Sequence, residues 1–168
     1  MIMNNLEDII KSNGISINKV SLVEPGNYEI SNSSKPVLAT NYTYSCTNLL
    51  IYSDYFAFLA HMLPSETVGN NNNLPERIEK IKRIIEVFGK LVTQVNVLVC
   101  KGISDDTNRS KKFHDLSFVN KNLDKLGIYC KERNINYSRL PDEASQYLVF
   151  DQQHQKLLTE NKEKRLII

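Results

Sequence analysis

The chain has 168 residues, of which 41% are hydrophobic and 24% charged, with a formal net charge of +2. This length suits one domain that buries about two thirds of its unfolded surface, and the near-neutral charge excludes an electrostatic argument for binding nucleic acid. No apolar stretch of about 18 residues predicts a membrane span, and no basic start followed by an apolar run indicates a signal peptide. We therefore expect a cytoplasmic protein without membrane insertion; an effector secreted without a signal peptide fits the same features.

The three cysteines form no recognisable disulfide framework, which is typical of free thiols in a reducing compartment. Cys100 and Cys130 have no partner at Cys-x-x-Cys spacing, and His114 and His154 do not stand at metal-ligand spacing from them. The sequence therefore predicts no metal site.

The whole chain divides into two predicted units. Residues 1–18 are expected to be a helical extension, and residues 19–168 a single domain. Within that domain the first strands are predicted at Lys19–Val23 and Pro36–Thr40.

Two apolar, aromatic-rich runs at 42–52 and 55–64 flank a polar break at 53–54, which is the pattern of a β-hairpin. With a two-residue loop, Cys46 faces His61 across the hairpin. Directly opposed residues hold their Cβ atoms about 4.5–5.5 Å apart. The sequence thus predicts a neighbouring thiol and imidazole, the arrangement that a Cys–His nucleophile needs.

The break at 53–54 lacks the Asn-Gly signal of a tight turn, so other registers are open. A four-residue loop is expected to keep the same pairing, whereas a three-residue loop or a bulge shifts the pairing by one residue and moves His61 to the face opposite Cys46. A lone cysteine among apolar residues is also commonly a small buried hydrophobe, and a histidine near a strand end commonly has a structural role. From the residues alone, a catalytic pair and two structural residues both remain open.

The second half of the chain predicts two amphipathic helices among further strands. The first begins near Pro75 and ends at Gly89, and the second ends at Gly127. Their apolar stripes are Ile78, Ile81, Ile85 and Phe88, and then Phe113, Leu116, Val119, Leu123 and Leu126. Strands are predicted at 92–100, 128–131, 146–151 and 156–159. Together these elements favour an α+β fold in which two main helices pack on one face of a sheet.

Several segments resemble the CheD family of chemoreceptor glutamine deamidases. The motif matches are Thr40, Ser45-Cys46 and His61-Met62-Leu63-Pro64, with Thr40 six residues before Cys46 as in that family. Further similar segments are Gly26–Ile30, Leu123–Ile128, Tyr147–Asp151 and Lys156–Leu158. The likeness runs in order over residues 19–160. The Cys–His core with its upstream threonine is also similar to deamidating toxins of the cytotoxic necrotizing factor kind.

This resemblance implies a CheD-like layered sandwich of mixed or antiparallel sheet packed by two main helices. It also implies a cofactor-free protein-glutamine deamidase, with Cys46 as nucleophile, His61 as acid and base, and Thr40 orienting the imidazole. The expected partners are a protein with a reactive glutamine, such as a chemoreceptor, and a CheC-type phosphatase. We further expect Cys46 to be a thiolate held by His61, because a neighbouring imidazolium lowers a thiol pKa.

The chain departs from the family just before its cysteine. A Gly-Leu-Gly stretch is replaced by Tyr42-Thr43-Tyr44, so side chains occupy a turn usually built from glycines. Tyr42 and Tyr44 are therefore predicted to line the entrance and bind substrate, with surface aromatic residues as the open alternative. Ser45 is the third predicted substrate-binding residue, with a structural role in the turn before the nucleophile as its alternative. Two alternatives stay open: a deamidase directed at a different protein, as in the toxins, and a catalytically silent binding module of the same fold.

Overall fold

The computed structural model describes residues 2–41, 45–69, 71–102, 116–160 and 162–165. Its α-helices are Ile2–Ser12 (α1), Asn73–Phe88 (α2) and Ser117–Glu132 (α3), and short 3-10 helices occur at Ile17–Lys19, Pro64–Thr67 and Gly89–Leu91. Its strands are Val20–Leu22 (β1), Tyr28–Ile30 (β2), Val37–Thr40 (β3), Thr47–Tyr52 (β4), Ala57–Met62 (β5), Gln94–Lys101 (β6), Asn136–Arg139 (β7), Glu143–Ala144 (β8), Leu148–Asp151 (β9), Lys156–Thr159 (β10) and Lys162–Arg165 (β11).

The strands form two mixed sheets. The first sheet has the order β1-β3-β9-β10-β11, and the second has the order β2-β5-β4-β6-β7, with β8 also pairing with β6. Among the strands that the structure describes, three pairings are parallel, namely β1 with β3 and β6 with both β7 and β8. The prediction of an α+β layered fold is confirmed.

Three hydrophobic clusters show how these layers are stacked. One lies between the second sheet and helices α2 and α3, and another lies between the two sheets. The third packs Leu6 and Ile10 of α1 against the first sheet. Because strand side chains alternate between faces, Leu49 contacts the helices while Leu50 lies between the sheets. Both faces of the second sheet are therefore covered, and its central strands β4 and β5 are buried along their whole length.

The central hairpin exists, but its predicted loop is wrong. The strands are joined by four residues, so that Tyr52 faces Ala57 instead of Tyr55. The Ser53 hydroxyl accepts the N–H groups of Tyr55 and Phe56 at 3.0 and 3.3 Å, and the Ser53 N–H donates to Phe56 O at 2.9 Å. Phe56 is buried and packs on Phe88 with 6.2 Å between ring centroids, which keeps it in the loop.

The structure confirms the predicted apolar stripe and the predicted C-terminal end of helix α2. Ile78, Ile81 and Ile85 are all buried against the second sheet. The helix ends at Gly89, whose φ of 58° lies in the left-handed region that glycine tolerates. Pro75 is the third helical residue and so lies within the first turn.

Helix α3 does not end at Gly127, and the strand predicted at 128–131 is helical instead. A Cβ atom at Gly127 would stand 3.2 Å from the ring of Tyr137 in β7. The glycine thus allows close packing of helix on strand, and the helix ends beside Asn134, whose φ is 58°. Phe113 of the predicted stripe lies outside the described residues.

Four short strands are not predicted from the sequence: β2, β7, β8 and β11. None of them contains two consecutive aliphatic residues, which β3, β9 and β10 of similar length do. Among the described residues, no helix combines the length and the apolar character needed to cross a bilayer.

Candidate active site

Thr40 and His61 meet between the two sheets, and Cys46 lies at the start of the strand that pairs with the His61 strand. Thr40 is the last residue of β3 in the first sheet, His61 lies in β5 of the second sheet, and Cys46 directly precedes β4. The Thr40 and His61 side chains are buried, and Cys46 is half-buried. The Thr40 Oγ1 and His61 Nδ1 atoms are 2.7 Å apart, so this contact joins the two sheets.

The predicted direct pairing of Cys46 with His61 is wrong, because the four-residue loop shifts the register. His61 faces Asn48, and Thr47 faces Met62. The shift is by two residues, so Cys46 keeps the same sheet face as His61 and becomes its diagonal neighbour. Diagonal neighbours stand about 7–8 Å apart, still within reach of long and aromatic side chains. A hydrogen bond from Gly102 N to Cys46 O, at 3.1 Å, keeps Cys46 in line with β6.

Two hydrogen bonds determine which nitrogen of His61 carries the proton. The Thr40 hydroxyl is 2.7 Å from Val23 O and 2.7 Å from His61 Nδ1. A carbonyl oxygen only accepts, so the single hydroxyl proton is donated to Val23, and Thr40 must accept from Nδ1–H. Nε2 therefore carries the lone pair. It is buried and has no hydrogen-bond partner among the residues that the structure describes.

The same short segment that holds Thr40 also holds the main chain of His61. Gly26 N donates to His61 O at 2.8 Å, and His61 N donates to Asn27 O at 3.0 Å. Gly26 has a φ of 82°, and a Cβ there would lie 3.4 Å from Leu63. Glycine thus allows the segment from Val23 to Asn27 to turn beside the histidine.

A buried ion pair supports this segment from the other side. Arg77 Nη1 lies 2.8 Å from Glu66 Oε1, and Arg77 Nη2 donates to Gly26 O at 2.8 Å. Glu66 Oε2 also accepts the N–H of Leu63 at 2.7 Å. Both members of the pair are almost fully buried. Contacts therefore run from Glu66 through Arg77 and Gly26 to the main chain of His61.

Sequence reasoning missed Asn48, Glu66 and Arg77. Asn48 is fully buried directly opposite His61 and stands on the same face as Cys46. The sequence feature that could have pointed to Asn48 is its position as a polar amide directly before three consecutive apolar residues of the same strand. The signal for Glu66 is a carboxylate just after the Leu63-Pro64 end of the motif. Arg77 carried no signal, because its partners lie far away in the sequence.

The electrostatics favour a neutral pair. Burial raises the pKa of the Cys46 thiol, the Glu66 carboxylate raises it further, and a hydrogen bond with Ser45 lowers it. Burial lowers the pKa of His61 to about 4, with Glu66 acting in the opposite direction. At neutral pH this geometry therefore contains a thiol and a neutral imidazole, contrary to the thiolate–imidazolium pair expected from the sequence.

Alkylation of Cys46 by iodoacetamide should therefore need alkaline pH. We expect its pH midpoint to lie above the ordinary thiol value of about 8.5, and to fall in Glu66→Gln, because that change removes a negative charge. His61→Ala should leave the midpoint nearly unchanged. Mass spectrometry of each cysteine-containing peptide between about pH 6 and pH 10 measures these midpoints.

The other two cysteines provide internal controls for this titration. Cys100 and Cys130 are fully buried, and burial raises their pKa values to about 12 and about 11. Both should stay unmodified in the folded protein. Rapid alkylation of Cys46 near pH 7, lost in His61→Ala, would instead show a preformed thiolate–imidazolium pair.

The predicted substrate-binding residues are only partly described. Ser45 lies beside Cys46 and hydrogen-bonds its sulfur, whereas Tyr42 and Tyr44 lie outside the described residues. Away from the site, His154 Nδ1 is 2.7 Å from Asp151 Oδ2. In the described part of the chain, no three His, Cys, Asp or Glu side chains are grouped to hold a metal ion.

No protein-family model matches the chain, and no curated protein matches it in sequence. The chain is similar to a solved structure described as the hypothetical protein YfiH of Bacillus licheniformis, at 10% identity and a TM-score of 0.49. The match covers 84% of this chain and 70% of that one. A similarity of this size does not indicate an activity.

Proposed function

We propose that the protein is a cysteine-dependent protein-glutamine deamidase, in which Cys46 is the nucleophile, His61 the general base and acid, and Thr40 the positioning residue. The observation that carries the proposal is the directional pair of hydrogen bonds from His61 Nδ1 to Thr40 and from Thr40 to Val23 O. This pair leaves the lone pair on His61 Nε2, and alternation of side chains from Asn48, which faces His61, puts Cys46 on the same sheet face. A nucleophile, a base and a third group that orients the base are what covalent catalysis requires.

In the first half-reaction the sulfur of Cys46 attacks the side-chain carboxamide carbon of a glutamine. His61 Nε2 takes the thiol proton as the carbon–sulfur bond forms. The carbonyl oxygen becomes an oxyanion, which backbone N–H groups near Ser45 and Cys46 stabilise. The imidazolium then returns its proton to the amide nitrogen, the carbon–nitrogen bond breaks, and ammonia leaves a thioester on Cys46.

In the second half-reaction His61 removes a proton from water, and the resulting hydroxide attacks the thioester carbon. The carbon–sulfur bond breaks, the sulfur recovers its proton, and the product is a glutamate side chain. A neutral imidazole can accept a proton in both halves. Burial keeps His61 neutral and lowers its pKa, which weakens it as a base, whereas the Glu66 charge raises that pKa and stabilises the transient imidazolium.

The choice of a carboxamide as substrate is supported by the resemblance to the CheD family at Thr40, Ser45-Cys46 and His61–Pro64. The replacement of the family's glycines by Tyr42-Thr43-Tyr44 bears on which protein is recognised. Chemoreceptors are the first candidate substrates, and another protein target, as in the toxins, is the alternative within the same chemistry.

We expect specific glutamine-to-glutamate conversions when a bacterial cell extract is incubated with wild-type protein and not when it is incubated with Cys46→Ala. Peptide mass spectrometry identifies the converted sites, and a purified chemoreceptor cytoplasmic domain is a second substrate sample. Cys130→Ala, which removes a buried thiol outside the site, is the matched control and should retain activity. Equal conversion with wild type and Cys46→Ala, or none with a folded wild-type protein in either sample, contradicts the proposal and favours the binding module.

A further inference from the structure

A polar groove lies beside the histidine strand, between the start of α2 and the edge strand β2. Its volume is about 410 Å³, and it is lined by Gly26, Tyr28, Asn73, Glu76, Arg77, Lys80 and Arg83. The three basic residues recur every three positions along α2 and so share one side of the helix. The groove is therefore a small, mainly basic site on the outer edge of the second sheet.

The lining of the groove presents positively charged groups that can contact a ligand. Arg77 is held by Glu66 and by Gly26 O. Lys80 Nζ stands 5.2 Å from the centre of the Tyr28 ring, and in the described part of the chain neither Lys80 nor Arg83 forms an ion pair with a carboxylate. Glu76 is the acidic residue in the lining, so the lining carries a net positive charge even with Arg77 neutralised.

The walls of the groove are held in place by the fold. The Tyr28 ring stacks on Phe58 of β5 with 5.1 Å between centroids, and β2 pairs with β5 throughout its length. Gly26 lines the groove and also donates its N–H to His61 O at 2.8 Å. The groove thus shares Gly26 with the segment that holds the His61 main chain, but it lies on the helix side of the second sheet, whereas the His61 side chain contacts Thr40 between the sheets. A substrate segment that passes around the edge strand β2 can contact both.

We propose that this groove binds an acidic segment of the substrate protein close in sequence to the glutamine that is modified. This inference rests on the proposed deamidation for the identity of the ligand, whereas the charge of the ligand follows from the lining itself. The net charge of the whole chain is only +2, which favours a short acidic peptide segment over a nucleic acid backbone.

Equilibrium binding to a labelled peptide tests the groove without any turnover. The probe is a fluorescein-labelled peptide with four glutamates beside Gly-Gln-Gly, and its matched probe carries four glutamines in their place. In the Cys46→Ala background, we expect the acidic peptide to bind more tightly than its matched probe. Adding Lys80→Glu and Arg83→Glu should weaken that binding about tenfold, because two favourable charge contacts become unfavourable.

The matched control is Cys46→Ala with Lys121→Glu and Lys125→Glu. These two lysines are exposed on α3. Reversing their charges changes the net charge by the same amount as Lys80→Glu with Arg83→Glu. This control should bind as tightly as Cys46→Ala alone, and binding should weaken as NaCl is raised from about 50 to about 500 mM. Equal loss in both double variants, no preference for the acidic peptide, or groove-dependent binding of a single-stranded RNA instead would overturn the proposal.

A second readout separates this proposal from the proposed function. Sites converted in the cell extract should be enriched in nearby glutamate and aspartate with wild type, and Lys80→Glu with Arg83→Glu should remove that enrichment. If no conversion occurs but the peptide result holds, the deamidase proposal fails and the anionic groove stands. If conversion occurs without groove-dependent peptide binding, the groove proposal fails and the deamidase proposal stands.

Discussion

His61→Ala is expected to lower the rate of glutamine conversion by about 10³-fold, within the range that general acid–base catalysis contributes. The reason is that Cys46 is a neutral thiol in this site, so its proton must be taken by Nε2 during attack. Without the imidazole, only the spontaneously ionised thiol reacts, and the rate should rise steeply with pH. The measurement is the pH dependence of conversion of a peptide from a site found in the extract.

Substitutions at Thr40 provide the graded control for this prediction. Thr40→Val keeps the shape but removes the acceptor for Nδ1–H, so the tautomer with a free Nε2 is no longer favoured, and we expect a loss of about 10²-fold. Thr40→Ser restores the hydroxyl and should stay within about threefold of wild type. Equal activity of Thr40→Val and Thr40→Ser, with both proteins folded, would rule out the positioning role.

Arg77→Met is expected to destabilise the protein by about 3–5 kcal/mol, as is usual when one partner of a buried ion pair is removed. The substitution leaves the Glu66 carboxylate buried without its cation and removes the donor to Gly26 O. Urea unfolding measures the loss through the transition midpoint, provided that the slope is unchanged.

Two further variants isolate the cause of this loss. Arg77→Met combined with Glu66→Gln should be more stable than Arg77→Met alone, because no unpaired charge stays buried. Lys11→Met breaks the exposed pair with Glu7, whose atoms are 2.6 Å apart, and should have little effect because solvent screens that pair. A similar, small loss for Arg77→Met and Lys11→Met would show that burial does not strengthen the Glu66–Arg77 pair.

Sequence patterns correctly predicted the elements that depend on contacts between residues close together in the chain. The stripe of Ile78, Ile81 and Ile85 marked α2, and Gly89 marked its end. The same glycine rule failed at Gly127, because the reason for that glycine is the ring of Tyr137 in a strand formed later in the chain. A glycine that ends a helix and one that admits a neighbouring ring look the same in sequence.

The sequence by itself predicted a hairpin with Cys46 and His61 on one face, and this face is kept because the register differs from the predicted one by two residues; a shift of one residue would have reversed it. The tertiary structure decided the rest of the site. Thr40 reaches His61 from the other sheet, and Arg77 reaches Gly26 across 51 positions. The tautomer of His61 and the neutral state of the pair depend on these contacts and on burial by both sheets. Hydrogen-bond direction and desolvation depend on how the layers pack together, so the spacing of residues in the sequence does not reveal them.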